Sequence, residues 1–268
     1  MAQADKTFAG PIPAIYDRYL VPLIFEPYAQ DMAARIERQA PNTILETAAG
    51  TGVLTRAMTA LMPKARITAT DLNQAMLDQA ISKSPDAERT VWKQADALSL
   101  PLEEASVDLV ACQFGVMFFP DRVAGYKEAR RVLKPDGSFV FNVWDDIAHN
   151  AFPNTVMNAI AEIFPDDPPT FMARVPHGYH DEDHIRADLD AAGFSDVSIE
   201  PVDFVCHADS ALDVAIGFCQ GTPMRGEIET RDSNGLEEAT RKAAERLEKH
   251  FGHGPIEAGI RALVITAR

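Results

Sequence analysis

The 268-residue chain is 46% hydrophobic, enough to bury one full α/β core with insertions, and one domain is expected rather than two. Its 25 basic residues against 40 acidic ones give a net charge of −15, which repels a phosphate backbone, and nucleic acid is not expected as a partner. The three cysteines, Cys112, Cys206 and Cys219, form no paired motif; no run reaches the roughly 18 apolar residues of a membrane span, and the first residues lack a basic start with an apolar core, so a soluble cytoplasmic protein without disulfides or zinc is expected.

The chain opens with a segment, 1–40, in which "IYDRYLVPLIFEPYAQDMAARI" reads as helical. Short β-type runs then alternate with helical patterns at the spacing of parallel βαβ units. Strands are expected at 43–47, 66–71, 89–94, 107–114 and 138–144. Between them lie the helices "VLTRAMTALM", "QAMLDQAIS" and "RVAGYKEARRVL", the last closed by "KPDG", whose Pro and Gly stop a helix and turn the chain. Val, Ile and Phe fall on both parities of the strands, which predicts a sheet covered on both faces.

The second half is less regular. "NAFPNTVMNAIAEIF" reads as a helix, "PDDPPTFMARVPHGYH" as a proline-rich loop, and "DEDHIRADLDAAGF" as a helix ended by Gly193. A strand at 196–207, two helical stretches near 210–219 and 236–250, and a final strand "GIRALVITAR" follow. The whole is a doubly wound α/β sheet in one domain, 1–268. Residues 1–40 form an N-terminal helical cover, 41–145 the ligand-binding core, and 146–180 and 208–254 are insertions between sheet elements.

In such a sheet, ligands bind beyond the carboxyl ends of the strands, at the loop after the first strand. Here that stretch is "ILETAAGTGVLT", residues 44–55. Gly50 and Gly52 let a ligand approach the backbone, and the following helix start offers unpaired N–H groups. Asp71, at the end of the second strand about twenty residues on, can accept from both ribose hydroxyls. A dinucleotide site wants a third glycine where this chain has Thr55. Asp96, after the third strand, sits where an adenine amino group can be met. Acid, glycine loop, ribose acid and adenine acid together suit a nucleoside without a pyrophosphate.

These motifs resemble those of the class I S-adenosylmethionine-dependent methyltransferases, especially the small-molecule branch related to ubiquinone and menaquinone biosynthesis. The resemblance runs over 40–145 and rests on "ILETAAGTG", "TATDLNQAML", "QADALSLPLEEASVDLVACQFGVMFFPD" and "EARRVLKPDGSFVFNVW". It implies a Rossmann-like sheet, mostly parallel with an antiparallel C-terminal strand, helices on both faces and helical lid insertions. It also implies S-adenosyl-L-methionine as cofactor, with Glu46 anchoring the loop near the methionine ammonium and Gly50 and Gly52 close to the cofactor. Asp71 would hold the ribose, Leu72 and Met76 pack on the adenine, and Asp96 with the Ala97 N–H read its edge. Gln113 and Phe114 would border the amino acid and the methyl group. Ala48 stands where the family has its first glycine, and its methyl is expected to need an ordinary backbone conformation and to shift the loop.

Methyl transfer is an in-line displacement, so positioning supplies most of the catalysis and a base is optional. His177 and His180 are the candidates for that base, against a plain reading as loop histidines. Tyr16, Tyr19, Phe118, Trp144, Phe171 and Tyr179 are candidates for an apolar acceptor pocket, against a plain reading as core. Asp145 and Asp146 read as an exposed turn, and no metal is expected. The expected function is methyl transfer to a small hydrophobic or aromatic acceptor, whose reacting atom is left open among oxygen, nitrogen and carbon. Two alternatives stand beside it: a nucleotide-dependent oxidoreductase, and a non-catalytic protein that binds the same cofactor.

Overall fold

The computed structural model of the chain describes residues 5, 8–84 and 89–268; the expected cover at 1–40 thus lies partly outside the described residues. Seven strands form one sheet: β1 Thr43–Glu46, β2 Arg66–Asp71, β3 Thr90–Gln94, β4 Val107–Gln113, β5 Leu133–Trp144, β6 Val197–Ala208 and β7 Ile256–Ala267. Their order is β3-β2-β1-β4-β5-β7-β6. The pairs from β3 to β5 are parallel, and β7 runs antiparallel to both β5 and β6. From β1 the chain steps outward to β2 and β3, then crosses back to β4, which makes the β1/β4 boundary the switch point.

Alternation along the strands explains why both faces are apolar. Ile44, Ile67, Leu109, Ala111 and Val140 point to one face, where they meet Met32, Ile36, Leu54 and Met58. Leu45, Val110, Cys112, Phe139, Phe141 and Val143 point to the other and join a larger core. The first face is covered by α2 (Glu26–Glu37) and α3 (Val53–Leu61), and α4 (Gln74–Ser82) packs beside β2 and β3. On the second side α5 (Arg122–Val132) packs on β5 and on α8 (Glu182–Ala191).

Regular pairing in β5 begins at Ser138, as expected, but the strand extends back to Leu133 through a register shift opposite Val107 and Leu109. The "KPDG" run is therefore an irregular strand start rather than a turn, with the helix already ended at Val132.

The N-terminal segment is helical in an unexpected way. After the one-turn α1 (Ile12–Ile15), residues Tyr16–Phe25 form a π-helix that contains Pro22. Proline has no N–H to give, and a wider i→i+5 coil accommodates the missing bond. Tyr28, fully buried in α2, donates its hydroxyl to the carbonyls of Val202 (2.9 Å) and Ile260 (3.2 Å) and fixes this segment to β6 and β7.

Between β5 and β6 lie α6 (Ala151–Ala161) and the short α7 (Phe171–Arg174), ahead of α8; between β6 and β7 lie α9 (Ala211–Gln220), α10 (Met224–Arg231) and α11 (Leu236–Phe251). The reading of two helices in the second insertion missed α10. Its signal is weak because Gly226 interrupts it, yet Met224 and Ile228, four apart, both bury fully.

Candidate functional site

The loop after β1 is bent by three alternate left-handed positions, Ala48 (φ +52°), Gly50 (φ +56°) and Gly52 (φ +77°). The loop is stitched to its neighbours by Thr47 N–H on the Ala111 carbonyl and Ala49 N–H on the Thr70 carbonyl, both at 2.9 Å. Ala48 thus corrects the expectation of ordinary backbone: its methyl is carried in a region that L-residues enter at a cost of roughly 1–2 kcal/mol. The room comes from Gly115, where a Cβ would lie 2.5 Å from the Ala48 methyl.

Two of the loop residues named from the sequence turn away from the crevice. Gly52 packs under Trp92, whose ring would be 2.7 Å from an added Cβ, and it does not line the cavity described below. Glu46 is 1% exposed and accepts a short hydrogen bond from the Thr55 hydroxyl. Burial pushes its pKa up to about 8, so it anchors the loop as a neutral acid. Thr55, noticed only for not being glycine, is what holds it.

Asp71 closes β2 at the crevice. Its Oδ2 accepts from Gly50 N–H (2.9 Å) and its Oδ1 from Asn73 N–H (2.8 Å). Burial raises its pKa and these backbone donors oppose the rise; Oδ1 also accepts from the Asn73 side-chain amide at 3.5 Å, and Oδ2 keeps a lone pair for a further donor. Beside it Leu72, 42% exposed, and Met76 line the same opening as Asp96 and Ala97. Asp96 holds its own turn by accepting from Leu98 N–H at 2.9 Å.

At the end of β4 the backbone is strained again: Phe114 has φ +51° and stacks on Trp144 at 3.8 Å between ring centroids. Its N–H is held by Asn142 Oδ1 at 2.8 Å. The preceding residue, Gln113, is 9% exposed, donates from Nε2 to the Phe25 carbonyl at 2.9 Å, and leaves a buried Oε1 without a donor among the described residues. Phe25 lies 5.5 Å from Phe114 and 4.9 Å from Tyr16. Burial, reinforced by Asp71 and Asp17, pushes the Tyr16 hydroxyl above its ordinary pKa, so it stays protonated at neutral pH.

These groups enclose a cavity of about 160 Å³. Of the residues named from the sequence, Ala48, Gly50, Asp71, Leu72, Met76, Asp96, Ala97, Gln113, Phe114, Tyr16, Phe118, Trp144 and Phe171 line it. Residues that the sequence reading missed are chiefly apolar and come from distant parts of the chain, Phe8, Leu20, Met117, Met172 and Phe218 among them. Helix α7 brings in Phe171 and Met172, and its start is fixed by Glu227 of α10, which accepts from the N–H groups of Thr170 (2.8 Å) and Phe171 (3.0 Å). Arg174 ties α7 to Asp5 (2.8 Å) and to Glu227 (3.0 Å). The N-terminal segment is held to α4 by Asp17, which accepts from Lys83 and from Gln79 (3.2 Å). Burial disfavours ionised Asp17, but the hydrogen bonds from Lys83 and its neighbours outweigh that and lower its pKa.

Four further candidates lie outside the cavity. Tyr19 and Tyr16 part because residues three apart do not stack on the wider coil, and Tyr19 sits under the Arg18 guanidinium. Tyr179 is core: it donates to Asp188 (2.8 Å), accepts from Tyr126 (3.2 Å) and lies beneath Arg122. His177 is 4% exposed with Nδ1 2.8 Å from the Asp145 carbonyl, and burial pushes its pKa down to about 4. His180 places Nδ1 on the His177 carbonyl (2.8 Å) and Nε2 by Asp146 (3.3 Å). Both histidines brace a turn and neither reaches the cavity. Asp145 and Asp146 cap the same turn, toward His149 and Ala148 N–H, each at 2.8 Å. Among the described residues no three His, Cys, Asp or Glu side chains converge as a metal site.

The cavity fits the cofactor implied by the sequence motifs. A carboxylate with an oxygen free to accept, a half-exposed leucine and a buried amide oxygen without a donor among the described residues follow one another along the strand ends, a set of groups compatible with a nucleoside that carries an amino acid tail.

Known proteins bear on this arrangement in sequence and in fold. Residues 45–141 match the family model of a methyltransferase domain. Over 118 residues the chain is 35% identical to the ubiquinone/menaquinone biosynthesis C-methyltransferase UbiE of Caulobacter vibrioides, covering 41% of this chain and 46% of that protein. Over 100 residues it is 36% identical to the malonyl-[acyl-carrier protein] O-methyltransferase of Hahella chejuensis, covering 37% of this chain and 36% of that one. The matches thus span less than half the length of these curated relatives. In fold, the chain is similar over 98% of its length to 59% of phosphoethanolamine N-methyltransferase 2 of Haemonchus contortus, solved with phosphomonomethylethanolamine and S-adenosylhomocysteine, at a TM-score of 0.61 and 15% identity. Neither the oxidoreductase nor the non-catalytic alternative is favoured by these matches. The glycine loop and the strand-end acids lie within residues 45–141, and that part of the chain is a methyltransferase domain.

Proposed function

We propose that the chain transfers the methyl group of S-adenosylmethionine to a small, apolar or aromatic acceptor, and that the N-terminal segment with the insertions 146–180 and 208–254 forms a lid over it. One observation carries the reading: the crevice that begins at Asp71 and Gly50 runs without a break into a chamber walled by Phe8, Phe118, Phe171 and Phe218. Asp71 would hold the ribose hydroxyls, Leu72 and Met76 would cover the adenine, and Asp96 with the Ala97 N–H would meet its edge. When bound, the cofactor supplies an electrophilic methyl on a positively charged sulfur.

The protein's part is to hold, align and keep dry. The aromatic face of Tyr16, Phe25, Phe114 and Trp144 favours a positive charge nearby, and closure by α7 and the N-terminal segment excludes water. Tyr16 stays protonated and so cannot take up a proton, and His177 and His180 are turned elsewhere, so an acceptor that loses its proton readily, or has none to lose, suits the site. That the curated and structural relatives carry C-, O- and N-methyltransferase names fits a core that leaves the reacting atom to the chamber walls.

The test is a radiolabelled methyl transfer assay over a panel of phenols, thiols, amines and carboxylic acids of graded hydrophobicity. Turnover of apolar neutral members, inhibited by S-adenosylhomocysteine, is expected. Turnover confined to charged, hydrophilic acceptors would overturn the acceptor class.

A further inference from the structure

Asp17 is a buried carboxylate that lines no part of the cavity, although its neighbour Tyr16 does. Its Oδ2 accepts from Lys83 and, at 3.2 Å, from Gln79. Gln79 lies in α4 and Lys83 caps it, the helix that places Met76 in the cavity. One oxygen of the side chain thus ties the N-terminal segment to one wall of the crevice.

The other oxygen is unexplained by the fold. Asp17 Oδ1 is buried with no hydrogen-bond partner among the described residues, and the same holds for the Thr51 hydroxyl. Thr51, 1% exposed, stands between Gly50 and Gly52 in the loop after β1. Its hydrogen-bonding influence is one of those that lower the Asp17 pKa, so an acceptor without a donor adjoins a donor without an acceptor. Two buried polar groups left apart in this way favour any movement that joins them.

The sequence neighbours of the pair say what brings that movement about. Tyr16 lines the cavity beside Asp17, and Gly50 lines it beside Thr51. A ligand gripped from both sides draws the N-terminal segment and the glycine loop together.

We infer, on the cofactor reading above, that Asp17 is a positioning residue that closes the N-terminal segment onto the glycine loop by accepting from Thr51 when the cofactor is bound. Lys83 and Gln79 keep it anchored to α4 in both states. Neither member of the pair touches the ligand, since neither lines the cavity. The bond acts instead on how long the ligand is held, because it must break before a molecule walled in by Tyr16 and Phe25 can leave.

The test is stopped-flow release of S-adenosylhomocysteine from the full chain, read by tryptophan fluorescence because Trp144 lines the cavity, beside thermal melts of the free protein. Thr51→Val keeps the branched shape and removes only the hydroxyl. That hydroxyl is unpaired in the free protein, so the melt is expected to stay level or rise, while release quickens about tenfold. Asp17→Ala removes the acceptor and is expected to quicken release by at least about tenfold. Adding Thr51→Val to it is then expected to change nothing further. A wild-type release rate in Thr51→Val, a melt that falls along with faster release, or multiplied effects in the double variant overturns the inference and leaves the cofactor reading standing. Failure of the wild type to bind S-adenosylhomocysteine, or undiminished binding by Asp71→Ala, brings down the cofactor reading and the inference with it.

Discussion

The two ends of the cavity are built on different plans. The end proposed for the nucleoside is polar and made of residues close in sequence to the ends of adjacent parallel strands: Gly50 N–H and Asp71 Oδ2 meet at 2.9 Å across 21 residues. The end proposed for the acceptor is apolar, and Phe8, Phe118, Phe171 and Phe218 arrive from four separate parts of the chain. The difference teaches where function can vary. A site fixed by backbone conformation and strand order tolerates little change, whereas a wall assembled from insertions can be remodelled without disturbing the sheet.

Substitutions should therefore separate the two ends. The largest effect is expected at Asp71: Asp71→Ala removes a ligand acceptor and the anchor of the Gly50 N–H. Turnover at sub-saturating cofactor is expected to fall about 100-fold, and a fall of less than about threefold would break the contrast between the ends.

Glu46 tests whether the polar end is held by a neutral acid. Its folded pKa of about 8 lies above the ordinary 4.5, so the unfolded chain releases its proton first as the pH rises. Stability from this group is complete below about 4.5 and is lost progressively up to about 8, by at most roughly 1.4 kcal/mol per pH unit. Glu46→Gln still accepts from Thr55 and has no proton to lose. Thermal melts from pH 5 to 8 are expected to show the wild type falling relative to the variant; parallel curves would mean Glu46 is ionised.

At the acceptor end, Phe118→Ala is expected to lower acceptor kcat/KM about tenfold while S-adenosylhomocysteine affinity stays within about twofold. Equal loss of both would show that the ends are not independent. The smallest effect belongs to the loop. Ala48→Gly relieves the left-handed alanine and is expected to stabilise the fold by about 1 kcal/mol, read as a shift in the denaturant midpoint; destabilisation would mean that the methyl's packing against Gly115 outweighs the strain.

Much of this was legible in the residues. The strand positions, the glycine loop, Asp71 and Asp96 could be read because each rests on local pattern: alternation, a turn that needs glycine, an acid at a strand end. Phe8, Leu20 and Phe218 could not, since an aromatic or leucine carries the same signal whether it fills a core or walls a cavity. The π-helix at Tyr16–Phe25 had a trace in Pro22, but sequence period does not distinguish it from an α-helix with a kink. His177 and His180 misled because a "PHGYH" run looks like an exposed loop, whereas the fold turns His177 inward onto the Asp145 carbonyl. Ala48 misled in the opposite sense. Non-glycine residues seldom take positive φ, and Gly115, 67 positions further along the chain, provides the space.

The most direct test of the central claim is a crystal structure of the chain grown with S-adenosylhomocysteine. The account predicts the ribose hydroxyls on the Asp71 carboxylate, the adenine between Leu72 and Ala97, and the homocysteine tail pointing toward Gln113. A ligand seated elsewhere, or lying in this crevice with its ribose away from Asp71, would contradict it.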